Sequence, residues 1–355
     1  MAWGPLSGSS SQVIVSAGGA APEYSSGEIG VVDSKTVEIT FSEDVTTTTT
    51  FAAGVTILVG SVSYSIASTN QTGGNDTVRY VLTSGVDGTE AVTWAYSESA
   101  GGIVGLEDVS AQAVTNTAFE PGDLSGNILW WHARPSAANG ISGVLDAVIP
   151  TWDENGGASA NQYVQTSISP DKRPLLKTGE YGINGQNALW FDGTDDFLIS
   201  TISWATAFAI DQYTVWLVFE IEAMGTNTGA TYGLPNMVAD NVGWWGMGFT
   251  DTQMSYWDWS AKLRINASVD TPYVSESRHE SGTMYSKFNS LGNEINVSKG
   301  DSGAYASAGV LLVGANYNAS VCFTGKVAEI IYSDIAESSA DRAKMQAVLE
   351  NIYGV

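Results

Sequence analysis

The chain has little that can be cross-linked, bound to a soft metal or titrated near neutral pH. Its 355 residues include one cysteine, Cys322, and two histidines, His132 and His279. A single thiol excludes a disulfide framework, and these three residues are too few for a structural Cys/His zinc centre. Basic residues are also scarce: 14 Lys/Arg stand against 38 Asp/Glu, a net charge of −24. That argues against nucleic acid as a partner, because binding DNA or RNA relies on Lys and Arg to displace counterions. It argues equally against electrostatic docking on anionic lipid. No apolar run reaches the roughly 18 residues of a membrane span, so no membrane insertion is expected. No basic stretch followed by an apolar one opens the sequence, so no signal peptide is read. The protein is expected to be made in a cytoplasm and to leave by lysis or a dedicated apparatus. There is no phosphate loop, HExxH motif or G-x-S-x-G elbow. The nearest approach to an elbow, Gly140-Ile141-Ser142-Gly143, falls in a loop with no His/Asp partner in view.

What is present is apolar, turn-rich and mostly of strand period. The hydrophobic content of 43% suffices for a core, and 355 residues predict two domains. Residues 1–127 hold 14 Asp/Glu against two Lys/Arg, Lys35 and Arg79, while residues 128–355 hold 24 against 12. This shift in composition predicts a boundary near 120–128. Residues 1–26 form a Gly/Ser/Ala-rich arm, in which Trp3, Val13, Ile14 and Val15 are candidate anchors, either onto its own domain or onto a neighbour in an assembly. Residues 27–119 alternate as a small antiparallel sandwich should. Val37, Ile39 and Phe41 point one way, and Val78-Tyr80-Leu82 and Val92-Trp94-Tyr96 repeat the pattern. Val55-Ile57-Val59 and Val62-Tyr64-Ile66 read as two strands joined by a two-residue Gly60-Ser61 turn. Glu120–Asn127, EPGDLSGN, reads as a linker.

The end of the chain carries the clearest signals. Lys326–Ser333 is of strand length and rich in β-branched and aromatic residues. Ser338 is placed as an N-cap with Asp341 three residues on. Met345, Val348, Leu349 and Ile352 then mark one helical face, and Gly354 sits at the C-terminal cap. Tyr213–Ile221 is apolar at nearly every position, which predicts a strand buried on both faces. Asn187–Ile199 predicts a hairpin: Ala188–Phe191 enters a tight Asp192-Gly193 turn and Phe197–Ile199 leaves it.

Two resemblances follow from these segments. "KTVEITFSEDV", "VTWAYSES" and "VTNTAF" in residues 27–119 resemble bacterial surface Ig-like modules. "ILWWHARP", "ALWFDGTDDFLIS", "YTVWLVFEIE", "GVLLVGANY" and the closing strand and helix resemble the concanavalin A-like (laminin-G-type) lectin/glucanase superfamily. They resemble its versions found in phage virion proteins and in bacterial surface proteins. The resemblance implies an all-β chain: an Ig-like β-sandwich (27–119), a linker (120–127), then a concanavalin A-like jelly-roll sandwich (128–355) with one C-terminal helix.

Three constellations are candidates for chemistry. Glu220 and Glu222 share one face of a strand, about 6.6–7 Å apart. That spacing suits a pair of glycosidase carboxyls. Glucanases of the superfamily use E-x-D-x-x-E, and here the third position is Glu222 and position 225 is Gly. The motif is broken, so the chain is expected not to be an enzyme. Trp244, Trp245, Tyr256, Trp257 and Trp259, with Asp251 nearby, are candidates for glycan stacking, or else a buried aromatic cluster. Asp192, Asp195 and Asp196 lie on one turn; the resemblance makes them candidates for Ca²⁺, and no other cofactor is implied.

Together these readings lead to a non-enzymatic bacteriophage virion surface protein, a capsid decoration, head fibre or tail adhesin. Its partners would be capsid or tail proteins, its own copies as a homo-oligomer, and host or environmental glycans held weakly by the C-terminal sandwich. A polysaccharide hydrolase and a bacterial cell-surface adhesin are the alternatives.

Overall fold

The computed structural model describes residues 21–355 apart from 31–34, 48–49, 61, 73–75, 87–90, 101, 117, 127, 135–143, 150, 154–161, 165–171, 204–211, 224–235, 241–244, 250–252, 259–260, 290–293, 299–309 and 316–321. Among the described residues the chain is all-β apart from short 3₁₀ turns and one α-helix. It divides into two compact units, one within Met1–Thr83 and Glu90–Thr117, the other within Ser84–Thr89 and Ala118–Val355.

Among the described residues the first unit has eight strands: β1 (Tyr24–Ile29), β2 (Thr36–Phe41), β3 (Val55–Val59), β4 (Val62–Tyr64), β5 (Ile66–Thr72), β6 (Thr77–Leu82), β7 (Val92–Tyr96) and β8 (Val109–Asn116). They form one sheet in the order β4-β3-β7-β8-β1-β2-β6-β5. Its two edge strands, β4 and β5, are consecutive in sequence with only Ser65 between them, so the sheet curls into a nearly closed barrel. The alternating residues Ile39, Val78, Tyr80, Leu82, Trp94 and Tyr96 fill its interior. The tight turn after β3 is present: Val59 pairs with Val62 and Gly60 has φ +60°. The run Val62-Tyr64-Ile66 is not one strand, however. Its first half pairs with β3 and its second half with β6, and Val62 is 61% exposed. The chain crosses here from one edge of the sheet to the other, so one strand pattern serves two ladders.

The second unit is three-layered. One sheet runs β10-β11-β14-β23-β16-β17-β18-β19, formed by β10 (Thr151–Asp153), β11 (Gln162–Val164), β14 (Leu198–Ser203), β16 (Asn236–Asp240), β17 (Trp245–Phe249), β18 (Gln253–Asp258), β19 (Ala261–Asn266) and β23 (Val310–Val313). The other runs β12-β13-β24-β15-β20-β21-β22, formed by β12 (Leu175–Lys177), β13 (Ala188–Asp192), β15 (Tyr213–Ile221), β20 (Pro272–Glu280), β21 (Thr283–Phe288), β22 (Ile295–Ser298) and β24 (Thr324–Ser333). β9 (Ile128–His132) bonds to the part of β24 that β13 leaves free. Trp131, Leu189, Phe219, Met247, Tyr256, Leu311 and Tyr332 meet between the sheets. Helix α1 (Ser339–Tyr353) covers the outer face of the second sheet through Met345, Val348, Leu349 and Ile352, which pack with Trp130, Trp216, Val218 and Ile331. The predicted caps are there: Ser338 accepts from the Asp341 amide and Gly354 is left-handed. β15 lies between both layers, and all of it except Glu220 is buried.

Two expectations need correction. Asn187–Ile199 is not a hairpin. β13 bonds to β12 and β24 in one sheet, and β14 bonds to β11 and β23 in the other. The Asp192-Gly193 turn therefore carries the chain from sheet to sheet, so both arms read as core strands. The linker residues are also tied down. Leu124 joins the core beneath α1, and the amides of Ser125 and Gly126 donate to Glu337 at 3.2 and 2.9 Å.

The helix also covers charge. Glu276, on β20, is buried with Arg342 of α1, Lys287 of β21 and Arg278 at 2.8, 3.1 and 3.2 Å. Glu329, on β24, accepts from the Trp130 indole at 2.7 Å and the Tyr353 hydroxyl at 2.8 Å. Each buried carboxylate is thus compensated from a different element, the condition under which a buried charge is tolerated.

Candidate functional site

Beyond the reach of α1, the outer face of the second sheet becomes polar. Glu220 is the first residue of β15 on that face that is not fully buried. Cross-strand register sets what lies beside it. Glu220 stands opposite Lys326 on β24, and Lys326 stands opposite Trp190 on β13. Trp190 in turn stands opposite Leu175 on β12, with Lys177 two residues along. Directly opposed residues are within contact distance, so a row across four strands becomes one connected strip.

The contacts bear this out. The Lys326 ammonium donates to Glu220 at 2.7 Å and lies 3.3 Å from Glu222. The Trp190 indole N–H donates to Glu222 Oε2 at 2.7 Å. The Lys177 ammonium sits 5.0 Å from the centre of the Trp190 ring and also bonds to Asp146. Burial alone would lower the pKa of Lys326. The hydrogen bond and charge of Glu220, followed by those of Glu222, outweigh it and raise the pKa above the ordinary value. Gly325 lets the strands close up here, since a Cβ would overlap the Glu220 carbonyl oxygen.

This geometry bears on the predicted carboxyl pair. Glu220 and Glu222 do share a face and are held together, but by one ammonium bridging both. An indole takes a further oxygen of Glu222. These are the contacts of an ordered polar platform. Sequence reasoning missed Trp190, Lys326, Lys177 and Asp146. Trp190 and Lys326 stood in segments read as strands, and Lys177 and Asp146 in segments given no reading; only the strand order brings them to Glu220.

The aromatic candidates separate. Tyr256 is 2% exposed, and its hydroxyl bonds to that of Tyr213 at 2.6 Å between the two sheets. It is a core residue, not a ligand platform, because its strand position alternates inward with Met254. Trp245 and Trp257 lie on β17 and β18, with Trp257 opposite Gly246. Their side chains lie outside the described residues, as do Trp244, Asp251 and Trp259. The arm candidates Trp3, Val13, Ile14 and Val15 lie outside them as well.

Asp192, Asp195 and Asp196 do converge, with carboxylate oxygens all within 4.8 Å of one another. Asp192 Oδ1 accepts from the amides of Thr194 and Asp195, and Asp196 Oδ2 accepts from the Asp192 amide at 3.0 Å. Lys172 lies 3.4 Å from Asp195. Burial, opposed by that backbone bond and reinforced by the two neighbouring carboxylates, pushes Asp196 up to about 6. Three carboxylates suit part of a Ca²⁺ shell, which takes six to eight oxygens. The same contacts also form a self-contained turn.

No family model matches the chain, and no curated protein matches it. Among solved structures, it is similar to domain 4 of AbnA, a GH43 extracellular arabinanase from Geobacillus stearothermophilus. The identity is 10% and the TM-score 0.37, over 56% of this chain and 91% of that one. It is similar to Trypanosoma rangeli sialidase at 7% identity and TM-score 0.41, over 82% of this chain and 46% of that one. It is also similar to full-length tailspike protein 2 of Escherichia coli O157:H7 bacteriophage CAB120, at 12% identity and TM-score 0.34, over 50% of this chain and 26% of that one. At these TM-scores the likenesses assign no family, and the chain spans under half of the sialidase and about a quarter of the tailspike.

Proposed function

We propose that this chain is a non-enzymatic surface protein of a bacteriophage virion. Its first unit would be an Ig-like module and its second a concanavalin A-like sandwich that holds glycans weakly. The observation that carries the reading is the Lys326 bridge. One ammonium occupies both carboxylates of the glycosidase-like pair Glu220 and Glu222, and Trp190 holds one of them in place. Ordered, partly buried carboxylates, lysines and an indole on one sheet face suit recognition of sugar hydroxyls, as binding sites use a few fixed polar groups beside apolar surface. Many copies on a particle would turn weak single sites into firm attachment. The net charge of −24 would keep particles apart and free of spilled nucleic acid.

The test is a glycan array probed with the intact protein, with analysis of released sugar. Binding without release is expected, and Trp190→Ala should weaken it about tenfold, the loss of roughly 1.4 kcal/mol. Release of sugar that Glu220→Gln abolishes would instead establish the hydrolase alternative. Immunolabelled electron microscopy of purified particles tests the virion assignment, and absence of label on every particle would sink it.

A further inference from the structure

The edge strands of the second unit carry charge. β10 holds Asp153, β12 holds Lys177, β19 holds Lys262 and Arg264, and Glu294 immediately precedes β22. Charge on an edge strand discourages another chain from adding to the sheet. The first unit lacks this protection. Residues 45–75 contain no Asp, Glu, Lys, Arg or His, the longest such run in a chain with 38 Asp/Glu. That run supplies β4 and β5, the two edges of the first sheet. Of the two, β5 offers the longer ladder, with seven residues against three. One side of β5 pairs with β6, and no strand among the described residues pairs with the other.

The register of β5 shifts once, between Ile66 and Ser68, and from Ser68 to Thr72 the strand pairs with β6 residue by residue. Thr69 and Gln71 stand opposite the buried Tyr80 and Val78 and so turn inward. Ser68 and Asn70 turn outward and are exposed. Such short side chains let a second backbone approach. The nearest charge lies one strand in, where Arg79 stands opposite Asn70 and is neutralised by Glu38 at 2.5 Å. Composition also selects the occupant. Pairing across a two-fold axis sets each residue near the axis against its own counterpart, so an acid there would face another acid. In a chain of net charge −24, a long strand edge without charge is therefore the edge that a second copy can approach. Centring the pair on Asn70 sets its amide, which both donates and accepts, against the partner's Asn70.

We propose that β5 is a dimerisation edge, at which Ser68–Thr72 of two copies pair antiparallel across a two-fold axis at Asn70 and join the two first sheets into one. This surface is independent of the glycan reading. The test is sedimentation velocity of the full chain from micromolar to near-millimolar loading, native and as Asn70→Asp, Asn70→Lys and Val62→Asp. The native chain should pass reversibly from monomer to dimer. Asn70→Asp and Asn70→Lys should each weaken the dimer at least about tenfold, because like charges then meet at the axis. Their equimolar mixture should recover the dimer, since opposite charges now face each other, a rescue that a folding defect would not give. Val62→Asp, on the other edge, should dimerise as the native chain does. A native chain that stays monomeric, an Asn70 variant that dimerises as the native chain does, or a mixture that stays monomeric would overturn the proposal. Loss of the dimer in Val62→Asp, or growth beyond two chains, would assign the contact to β4 against β5 and overturn the two-fold pairing.

Discussion

Asp196 is a side chain whose charge state folding changes. It is 3% exposed, and its pKa is pushed up to about 6 from an ordinary 3.8. The folded chain therefore holds this proton more tightly than the unfolded one. The sign follows directly: there is no cost when both states are protonated, below about pH 3.8, and a growing cost as pH rises through about 6. Asp196→Asn, which keeps an acceptor for the Asp192 amide, should match the native urea midpoint near pH 3.5. At pH 7.5 it should exceed it, by on the order of 1–3 kcal/mol. A variant less stable at both pH values would contradict this. If the triplet takes Ca²⁺, millimolar Ca²⁺ should stabilise the native protein at pH 7.5 and leave the variant unmoved. At the same scale, Glu220 and Glu222 were legible as a pair, since alternation on a strand is local. Lys326 was not, because its hydrogen bond to Glu220 spans 106 residues of sequence.

Among the elements, α1 is specified most completely by its own residues. Its N-cap, its apolar stripe and its left-handed glycine all stand where the sequence predicts. Ser338→Ala removes the side-chain oxygen that accepts from the Asp341 amide and should cost about 1 kcal/mol in urea denaturation followed by circular dichroism. Leu349→Ala, which opens a cavity against the second sheet, should cost about 2–5 kcal/mol. A similar loss in both variants would mean the cap does more than satisfy one amide. The turn at Asp192-Gly193 shows where such local reading ends. Gly193 has φ +79°, and a Cβ there would overlap Thr324 Oγ1, so the glycine is required. A tight glycine turn is read as a hairpin from sequence, yet here it passes between two sheets.

Across the whole molecule, acidic excess is the dominant long-range term. A net charge of −24 opposes compaction, and added salt screens that repulsion. The thermal midpoint should rise by a few degrees between about 0.05 and about 0.5 M NaCl, because the Debye length falls from over 10 Å to under 5 Å. A flat or falling midpoint would show that the buried ion pairs around Glu276 outweigh the surface. By itself, the sequence determined what depends on near neighbours: the all-β class, the strands with one or two buried faces, the closing helix and its caps. Periodicity and capping are properties of a few consecutive residues, so they survive without a fold. The tertiary structure alone decided that Val62–Ile66 serves two edges, that the Asp192-Gly193 turn changes sheets, that Tyr256 belongs to the core and that Lys326 and Trp190 join Glu220 and Glu222. Each depends on which strand lies beside which, and strand order is fixed by the packing of the whole sheet, which no short stretch of sequence contains.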